Sequence, residues 1–402
     1  MITRRLAGLS AIAAATLAMA APSRAAEPIT FAALVTYINQ NGVADSMLDG
    51  AKLAAAVVNR AGGVLGRPLA IEAWDDGGVE ASALAVVTQI IATHRAVAAI
   101  GILRSNIALL LAPYFEEAHV PLIINAATVG GVTQIFSPPE YDENYIYRVA
   151  LNTSIESAMI ARAAKLLAVR KLVLFIDSTK HGTSGRDTLL PALRAEHIAS
   201  LPIEKFNLGD TDMSEQLIRA RDAGAQMIAT FGIVPELGYI ARDRTAMGWN
   251  VPIVGDWTLS SPTFTAVAKA AAEGTVMPED FFLDNPAPHA QDFVQRFDET
   301  YDVARPAVPD AAAQGYDTVL LLAAAITQAQ STDGSKIRAA LDHLEAPVDG
   351  AIKTYLRPFS PSEHEALKES DAALGIIENG RIVPLPPMPP SRWTRQLPKV
   401  HQ

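Results

Sequence analysis

Cysteine is absent from the 402-residue sequence, so the protein forms no disulfide bond and has no thiol that could carry a lipid anchor. Aromatic residues make up only 6% of the chain and charged residues 19%, whereas half of the residues are hydrophobic. This is the composition of a globular protein rather than of a disordered one. The net charge is −10, and no block of Lys or Arg could follow a phosphate backbone. We therefore do not expect nucleic acid to be a partner.

The sequence also lacks the usual signatures of catalysis and of metal binding. There is no Gly-rich phosphate loop, no G-x-G-x-x-G after a strand and no H-E-x-x-H zinc helix. The eight histidines are scattered without the spacing of metal ligands. Residues 181–185 (HGTSG) resemble a nucleophile elbow around Ser184, but the glycines flank two residues rather than three. We expect a binding protein without metal or cofactor rather than an enzyme.

The first 25 residues have the pattern of a removable export signal. Arg4 and Arg5 give a positive start, residues 6–21 form an apolar run, and Ser23-Arg24-Ala25 suits a small-x-small cleavage site. The run is short and rich in alanine, which makes it a poor membrane anchor. We favour the general secretory route over the twin-arginine route, with which the two arginines also agree. Cleavage after Ala25 would leave 30 basic and 43 acidic residues, and we expect the mature protein to be free in the periplasm.

Strand-like and helix-like segments alternate along the rest of the chain. One series runs from a strand at 29–35 to a strand at 121–125, and a second series begins after Arg148. Such alternation is typical of a parallel sheet that is covered by helices on both faces. Because 402 residues exceed what one hydrophobic core usually supports, we predict an α/β protein with two doubly wound parallel-sheet lobes.

Two predicted strand ends carry residues suited to an acidic ligand, which in open α/β sheets binds beyond the carboxyl ends of strands. Ser105 follows the strand at 97–100 and would cap the next helix, whose free N–H groups favour an anionic oxygen. Arg104 beside it could form a bidentate contact with a carboxylate. The ordinary alternative is a helix cap next to a solvated arginine.

The strand at 121–125 is followed by Ala126, Ala127 and Thr128. The small alanines would let a ligand approach the backbone, and the threonine hydroxyl can both donate and accept a hydrogen bond. A simple strand-to-helix turn would explain the same residues. Tyr37, after the first strand, is either a wall of the cleft or a surface loop residue.

A long part of the chain carries motifs that are specific to one family. They are Ala61-Gly62-Gly63-Val64-Leu65-Gly66-Arg67-Pro68-Leu69, Asp75-Asp76, Ala99-Ile100-Gly101, the segment 116–123 (EEAHVPLI) and Ala126-Ala127-Thr128. Looser matches occur at 209–212, 272–275 and 315–317. Through these motifs the chain resembles the branched-chain amino-acid-binding (Leu/Ile/Val-binding) family of ABC transporter substrate-binding proteins.

The resemblance implies a type I periplasmic binding protein fold, with two lobes joined by a three-strand hinge and a cleft that closes on the ligand. We place residues 26–149 and 259–352 in the first lobe and residues 150–258 and 353–385 in the second. Residues 386–402, which are rich in proline, are expected to form an irregular tail.

The resemblance also implies ligand-binding residues in each lobe. In the family the positions of Ser105, Ala126 and Thr128 hold the ligand's carboxylate. On the second lobe this chain departs from the family pattern, because His181 stands where the family has an aromatic residue. The family's acid for the ligand's ammonium falls at Asp256-Trp257, and either of these two residues could face the ligand.

The resulting hypothesis is a periplasmic receptor of an ABC importer that captures a small carboxylate-bearing solute. That solute is an amino acid or an aromatic or other organic acid, and the cleft closes on it by a hinge motion. The expected partners are this solute and a permease in the inner membrane, and the protein is expected to be a monomer. A ligand-sensing subunit of a signalling system, which would use the same fold, is the alternative.

Overall fold

A computed structural model describes residues 26–37, 42–301 and 306–386 of the chain. The predicted export signal and residues 387–402 of the predicted tail therefore lie outside the described residues. Within the described ranges, every helix is too short or too polar to cross a membrane.

The amino-terminal part forms a five-stranded parallel sheet with strand order β2-β1-β3-β4-β5. Its elements are β1 (Ile29–Val35), α1 (Val43–Arg60), β2 (Leu69–Asp75), α2 (Glu80–Thr93), β3 (Ala96–Gly101), α3 (Ser105–Glu117), β4 (Leu122–Ile124) and β5 (Ile146–Arg148). All residues of β1 are buried because helices cover both faces of the sheet. The periodicity of the sequence predicts each of these strands and helices to within three residues, except β5, which it does not predict.

A second sheet has the strand order β15-β14-β11-β10-β9-β6-β7, with β8 paired to β6. The elements leading into it are α4 (Thr153–Leu166), β6 (Lys171–Asp177), α5 (Lys180–Ala195), β7 (Ala199–Ser200), β8 (Glu204–Phe206), α6 (Ser214–Asp222), β9 (Ile228–Phe231), α7 (Glu236–Ala246), β10 (Ile253–Gly255), α8 (Pro262–Ala268) and β11 (Val276–Glu279). After β11 the chain forms α9 (Pro288–Thr300), α10 (Pro309–Ala329), α11 (Gly334–Asp342), β12 (Val348–Asp349) and β13 (Thr354–Tyr355), which are not part of the second sheet. It then returns to that sheet with β14 (Ala373–Glu378) and β15 (Arg381–Pro384). Strands β14 and β15 run antiparallel to their neighbours.

Two of the predicted lobe boundaries are wrong. Residues 259–279 belong to the second lobe, since β11 pairs with β10 and Phe264 packs in the core of the second sheet. Residues 353–367 belong to the first lobe, because Tyr355 and Leu367 are part of its core. The chain thus crosses between the lobes after β5, after β11 and before β14. The boundaries were misplaced because β11 and β13 are short and have no clear period in the sequence.

A buried ion pair lies at the hinge, where the first crossing meets the third. Arg148, at the end of β5, is fully buried, and its Nε and Nη2 atoms donate to the two carboxylate oxygens of Glu365. Its Nη1 donates to the backbone oxygens of Ala127 and Val129. The guanidinium therefore fixes the turn after β4 relative to the hinge, and attraction to Arg148 lowers the pKa of Glu365 despite its burial.

Helices α1 and α10 pack closely in the first lobe because glycines stand at their contact. A Cβ added to Gly315 would lie 2.2 Å from the backbone oxygen of Met47, and one added to Gly50 would lie 1.9 Å from that of Ala312. Neither oxygen can move without displacing a helix. The glycines therefore set the spacing between the two helices, against which the first sheet packs.

We predict that Gly315→Ala lowers the free energy of unfolding by about 2–3 kcal/mol, because the clash outweighs the helix propensity gained. Chemical denaturation measures this change. Gly130→Ala is the control, since its Cβ would lie 3.5 Å from the nearest atom, the Thr153 hydroxyl oxygen, and should change the stability little. Equal stabilities of the two variants would contradict this packing.

Candidate ligand-binding site

A cavity between the two lobes brings together most of the predicted site residues. It encloses about 820 Å³, counting the space at its mouth. The first lobe contributes Thr36, Val43, Leu103, Arg104, Ser105, Asn106, Ala126 and Thr128. The second lobe contributes Thr179, His181, Ile233, Val234, Trp257, Thr258 and Ser261. Both walls are built from residues that follow the carboxyl ends of parallel strands, as expected for an open α/β sheet.

The amino end of α3 forms the cationic part of the first wall. Arg104 is the N-cap residue, and Ser105 is the first residue of the helix, so backbone N–H groups without intrahelical partners point toward the cavity here. Within the described residues, neither the Arg104 guanidinium nor the Ser105 hydroxyl has a hydrogen-bond or ion-pair partner. Together with the positive end of the helix dipole, these groups favour a negatively charged ligand.

The turn after β4 completes this wall. Ala126 has φ 71°, in the left-handed region, which costs a non-glycine residue on the order of 1 kcal/mol. Neighbouring bonds hold it there: the Ala127 N–H donates to Ile102, and the buried Asn125 side chain donates to Thr318 on α10. The turn places Ala126 and Thr128 in the cavity, whereas Ala127 is buried and is not a lining residue. Of the two predicted alanines, only Ala126 therefore faces the cavity.

On the second wall, α5 begins at Lys180. Thr179 caps the helix by accepting from the Gly182 N–H, and Asp177 accepts from the Thr179 hydroxyl. The glycines that obscure this turn in the sequence are required by packing, since a Cβ on Gly185 would lie 2.0 Å from the Phe231 side chain. His181 therefore stands in the first turn of a helix rather than in a loop.

Trp257, and not Asp256, faces the cavity at the position that the sequence leaves ambiguous. The Asp256 carboxylate is fully buried behind the wall, where it accepts from the N–H groups of Thr258 and Gly232. Its Oδ1 atom lies 3.5 Å from Nε2 of His181. Asp256 thus contacts the imidazole and not the space open to a ligand.

Tyr37 does not line this cavity; its side chain is 41% exposed, and the neighbouring Thr36 lies at the wall instead. Sequence analysis missed Thr36, Thr179, Ile233 and Val234. The signal was available, because Ile233 and Val234 directly follow strand β9, and strand ends are where ligands of such sheets bind.

The two walls meet where Thr128 and His181 touch. The distance from the Thr128 hydroxyl oxygen to Nδ1 of His181 is 3.0 Å, and both side chains are buried. Beneath them lies Glu156, fully buried, whose Oε1 accepts from the Trp257 backbone N–H. Sequence analysis missed Glu156, because an acid in the first turn of a helix, as on α4, reads as a surface residue that favours the helix dipole.

Burial and neighbouring charges shift the pKa values of His181 and Glu156. Burial by itself lowers the pKa of His181, but attraction to Asp256 and then to Glu156 outweighs burial and raises this pKa to about 9. Burial, followed by repulsion from Asp256, raises the pKa of Glu156 to about 7. At neutral pH, His181 is therefore an imidazolium whose Nδ1–H donates to the Thr128 hydroxyl oxygen.

A smaller cavity of about 200 Å³ lies deeper, between the hinge segments. It shares Ala126, Thr128 and Trp257 with the main cavity and is otherwise lined by Ala150, Leu151, Asp280, Asp310 and Gln314. One carboxylate oxygen each of Asp280 and Asp310 is buried without a partner in the described part of the chain. Burial raises the pKa of Asp310 to about 6 and that of Asp280 well above its ordinary value. No group of three or more described side chains is arranged to hold a metal ion.

Ser184, Trp74 and Trp249 have structural partners outside the cavity lining. Ser184 lies inside α5, where its hydroxyl is 3.2 Å from that of Thr153, and not at a sharp strand-to-helix turn. Trp74 and Trp249 pack against the cores of the first and the second lobe, respectively.

Comparison with known sequences identifies the family. The sequence profile of the family described as periplasmic binding protein matches residues 39–366. The chain belongs to this family. The Leu/Ile/Val-binding protein homolog 3 of Brucella melitensis is 24% identical over 342 residues, which cover 85% of this chain and 89% of that protein. The predicted resemblance to the Leu/Ile/Val-binding proteins is thereby confirmed.

Solved structures of the same fold agree with the two-lobed architecture. A leucine binding protein from Thermotoga maritima superposes with a TM-score of 0.76 at 22% identity, covering 89% of this chain and 98% of that one. A solute binding protein from R. palustris in complex with benzoate superposes with a TM-score of 0.74 at 18% identity, covering 89% of this chain and 95% of that one. The prediction of a type I periplasmic binding protein fold is confirmed.

The raised pKa of His181 makes a prediction about the stability of this periplasmic binding protein. Because the folded-state pKa of about 9 exceeds the unfolded value of about 6.5, the stabilisation is fully present below pH 6.5. It is lost as the pH rises to 9, and the loss is on the order of 3 kcal/mol. His181→Gln should remove this part of the fall in the free energy of unfolding between these pH values and so make the pH dependence less steep, as measured by denaturant titration.

His343→Gln is the matched control, because His343 is exposed and should leave the pH dependence unchanged. A wild-type stability that stays constant from pH 6.5 to 9 would contradict the assignment of a buried imidazolium.

Proposed function

We propose that this protein is the solute receptor of an ABC importer and that it binds a small organic solute through a carboxylate. The observation that carries the proposal is the unpaired Arg104 guanidinium at the amino end of α3, beside the Ser105 hydroxyl and inside an interlobe cavity. Arg104 is only partly buried and attracts the buried Asp76, but its N–H donors have no hydrogen-bond acceptor among the described residues, and an anionic ligand supplies one. A carboxylate fits, because it accepts two parallel hydrogen bonds from a guanidinium.

The two lobes have different parts in this proposal. The first lobe provides the anion-binding groups, namely Arg104, Ser105 and the turn from Ala126 to Thr128. The second lobe provides an apolar wall with Trp257, which suits the organic part of the solute. Closure of the lobes about the three crossings would bring the two walls together, and the closed form would be recognised by the permease. The Brucella melitensis relative is named for Leu/Ile/Val binding, and the R. palustris protein was solved in complex with benzoate; all of these ligands are small carboxylates. We place the receptor in the periplasm.

Thr128 couples the two lobes in this mechanism. While the imidazolium of His181 donates to its oxygen, the Thr128 hydroxyl hydrogen is available for another acceptor. A ligand carboxylate next to Ser105 is such an acceptor, and Glu156 is the other. The Thr128 hydroxyl hydrogen can therefore be donated either to the ligand or to Glu156.

We predict that binding of small carboxylates raises the melting temperature of the wild-type protein. A ligand present at 100 times its Kd stabilises the folded state by about 2.7 kcal/mol. A thermal-shift screen of leucine, valine, benzoate, 4-hydroxybenzoate, 3-phenylpropanoate and 4-methylpentanoate tests the prediction, with the corresponding neutral amides as controls. No shift with any carboxylate, or equal shifts with acids and amides, would contradict the proposed function.

We further predict that the double variant Ser105→Ala, Thr128→Ala weakens binding of the best carboxylate by at least about 100-fold, since each lost hydrogen bond to a charged group is worth about 1.5–3 kcal/mol. Isothermal titration calorimetry measures the Kd. Ser154→Ala, at an exposed position on α4, is the control and should bind as the wild type does. Unchanged affinity in a folded double variant would remove Ser105 and Thr128 from the site.

A further inference from the structure

The wall of the main cavity carries cations but no acid. Arg104 and His181 face the cavity, and none of its described lining residues is Asp or Glu. The site therefore has groups to hold an anionic oxygen but no carboxylate at its surface to neutralise an ammonium group.

The acids nearest the cavity are buried behind its wall. Asp76 accepts from the hydroxyl of the lining residue Thr36, is fully buried and attracts Arg104. Asp256 is fully buried and accepts two backbone N–H groups, and its remaining contact is the His181 ring. Glu156 accepts a hydrogen bond from the backbone N–H of Trp257. Asp256 and Glu156 therefore stabilise the imidazolium of His181, and the residue that lines the cavity at this position is Trp257. An ammonium group in the main cavity would meet the Trp257 ring and two cations.

From this arrangement we infer that the receptor selects carboxylates without an α-ammonium group and discriminates against the corresponding α-amino acids. This inference rests on the proposed function and narrows its substrate class. The amino group of an α-amino acid is bonded to the carbon next to the carboxylate, so it cannot be kept in water while the carboxylate binds at Arg104 and Ser105. Its burial without a counter-charge is penalised, and both cations repel it.

The lining also indicates the nature of the remaining part of the solute. Val43, Leu103, Ile233, Val234 and Trp257 are apolar and lie on both sides of the cavity. An aliphatic or aromatic body would replace water there and gain from burial of apolar surface. The expected substrate class is thus a hydrophobic monocarboxylic acid.

The acids of the smaller cavity are the competing destination for an ammonium group. Asp280 and Asp310 each have an unpartnered carboxylate oxygen, and this cavity lies beyond Thr128 and Trp257. These two acids are close enough for the charge of Asp310 to raise the pKa of Asp280, and Asp310 accepts the Asp280 backbone N–H. The negative charges of the two acids repel each other, and the smaller cavity meets the main cavity at Ala126, Thr128 and Trp257. If the protein instead preferred amino acids, Asp310 would have to bind their ammonium group.

Calorimetry with two matched pairs of acids tests the inference on the wild-type protein. The pairs are 4-methylpentanoate with L-leucine and 3-phenylpropanoate with L-phenylalanine, which differ only in the amino group. In each pair of which at least one member binds, we expect the acid without the amino group to bind at least about 100-fold more tightly than the amino acid. The reason is that an unpaired buried charge costs several kcal/mol. An amino acid that binds as tightly as its partner, or more tightly, overturns the inference and leaves the proposed function standing. If no carboxylate in the thermal-shift screen binds, the proposed function and the inference both fall.

Substitution of Trp257 tests the physical cause. Trp257→Glu would place a carboxylate at the cavity wall and keep the backbone N–H that donates a hydrogen bond to Glu156. We expect this variant to reduce the preference for the acid without the amino group by at least about 10-fold. Trp257→Gln, of the same size without the charge, should keep the wild-type preference. If both variants change the preference for the acid without the amino group equally, the cause of that preference is space and not charge. If Asp310→Asn instead abolishes binding of an amino acid, the smaller cavity is the ammonium site. Either result overturns the inference.

Discussion

The site depends on one polar contact between the lobes, the hydrogen bond between Thr128 and the imidazole of His181. Thr128 is held by the turn after β4, which Arg148 ties to the hinge through Ala127, Val129 and Glu365. His181 is held by Asp256 and Glu156 from the second lobe. The contact therefore joins the anion-binding wall, the hinge and the buried charges in one network, and movement of the lobes must change all three together.

Charge is distributed unevenly around this contact. Acids lie behind the second wall and around the hinge, whereas the cations Arg104 and His181 lie at the cavity surface. The whole chain is acidic, with a net charge of −10, so a cationic interior surface is a local feature that net charge does not reveal. It gives the cavity an affinity for anions in a protein that as a whole repels them at long range.

The parallel-sheet lobes and half of the site could be predicted from the sequence because strand ends and small residues have local signatures. Ser105, Ala126 and Thr128 follow strands that the periodicity identifies, and the family motifs cover the same segments. The second wall could not be predicted equally well. Gly182 and Gly185 make the start of α5 look like a loop in the sequence. They are glycines because there is no space for a side chain next to Asp177 and Phe231. Whether Asp256 or Trp257 faces the ligand depends on a three-residue strand end, and only tertiary contacts decide it.

The central claim is that both lobes close around an acid held between them. The absence of cysteine allows unique labelling of the variant Glu117→Cys, Asp187→Cys, with one exposed residue on α3 and one on α5. Pulsed electron paramagnetic resonance then measures the distance between spin labels on the two lobes, with and without the carboxylate that binds best. The account predicts a shorter and narrower distance distribution at saturation. An unchanged distribution, while calorimetry reports full binding, would contradict it.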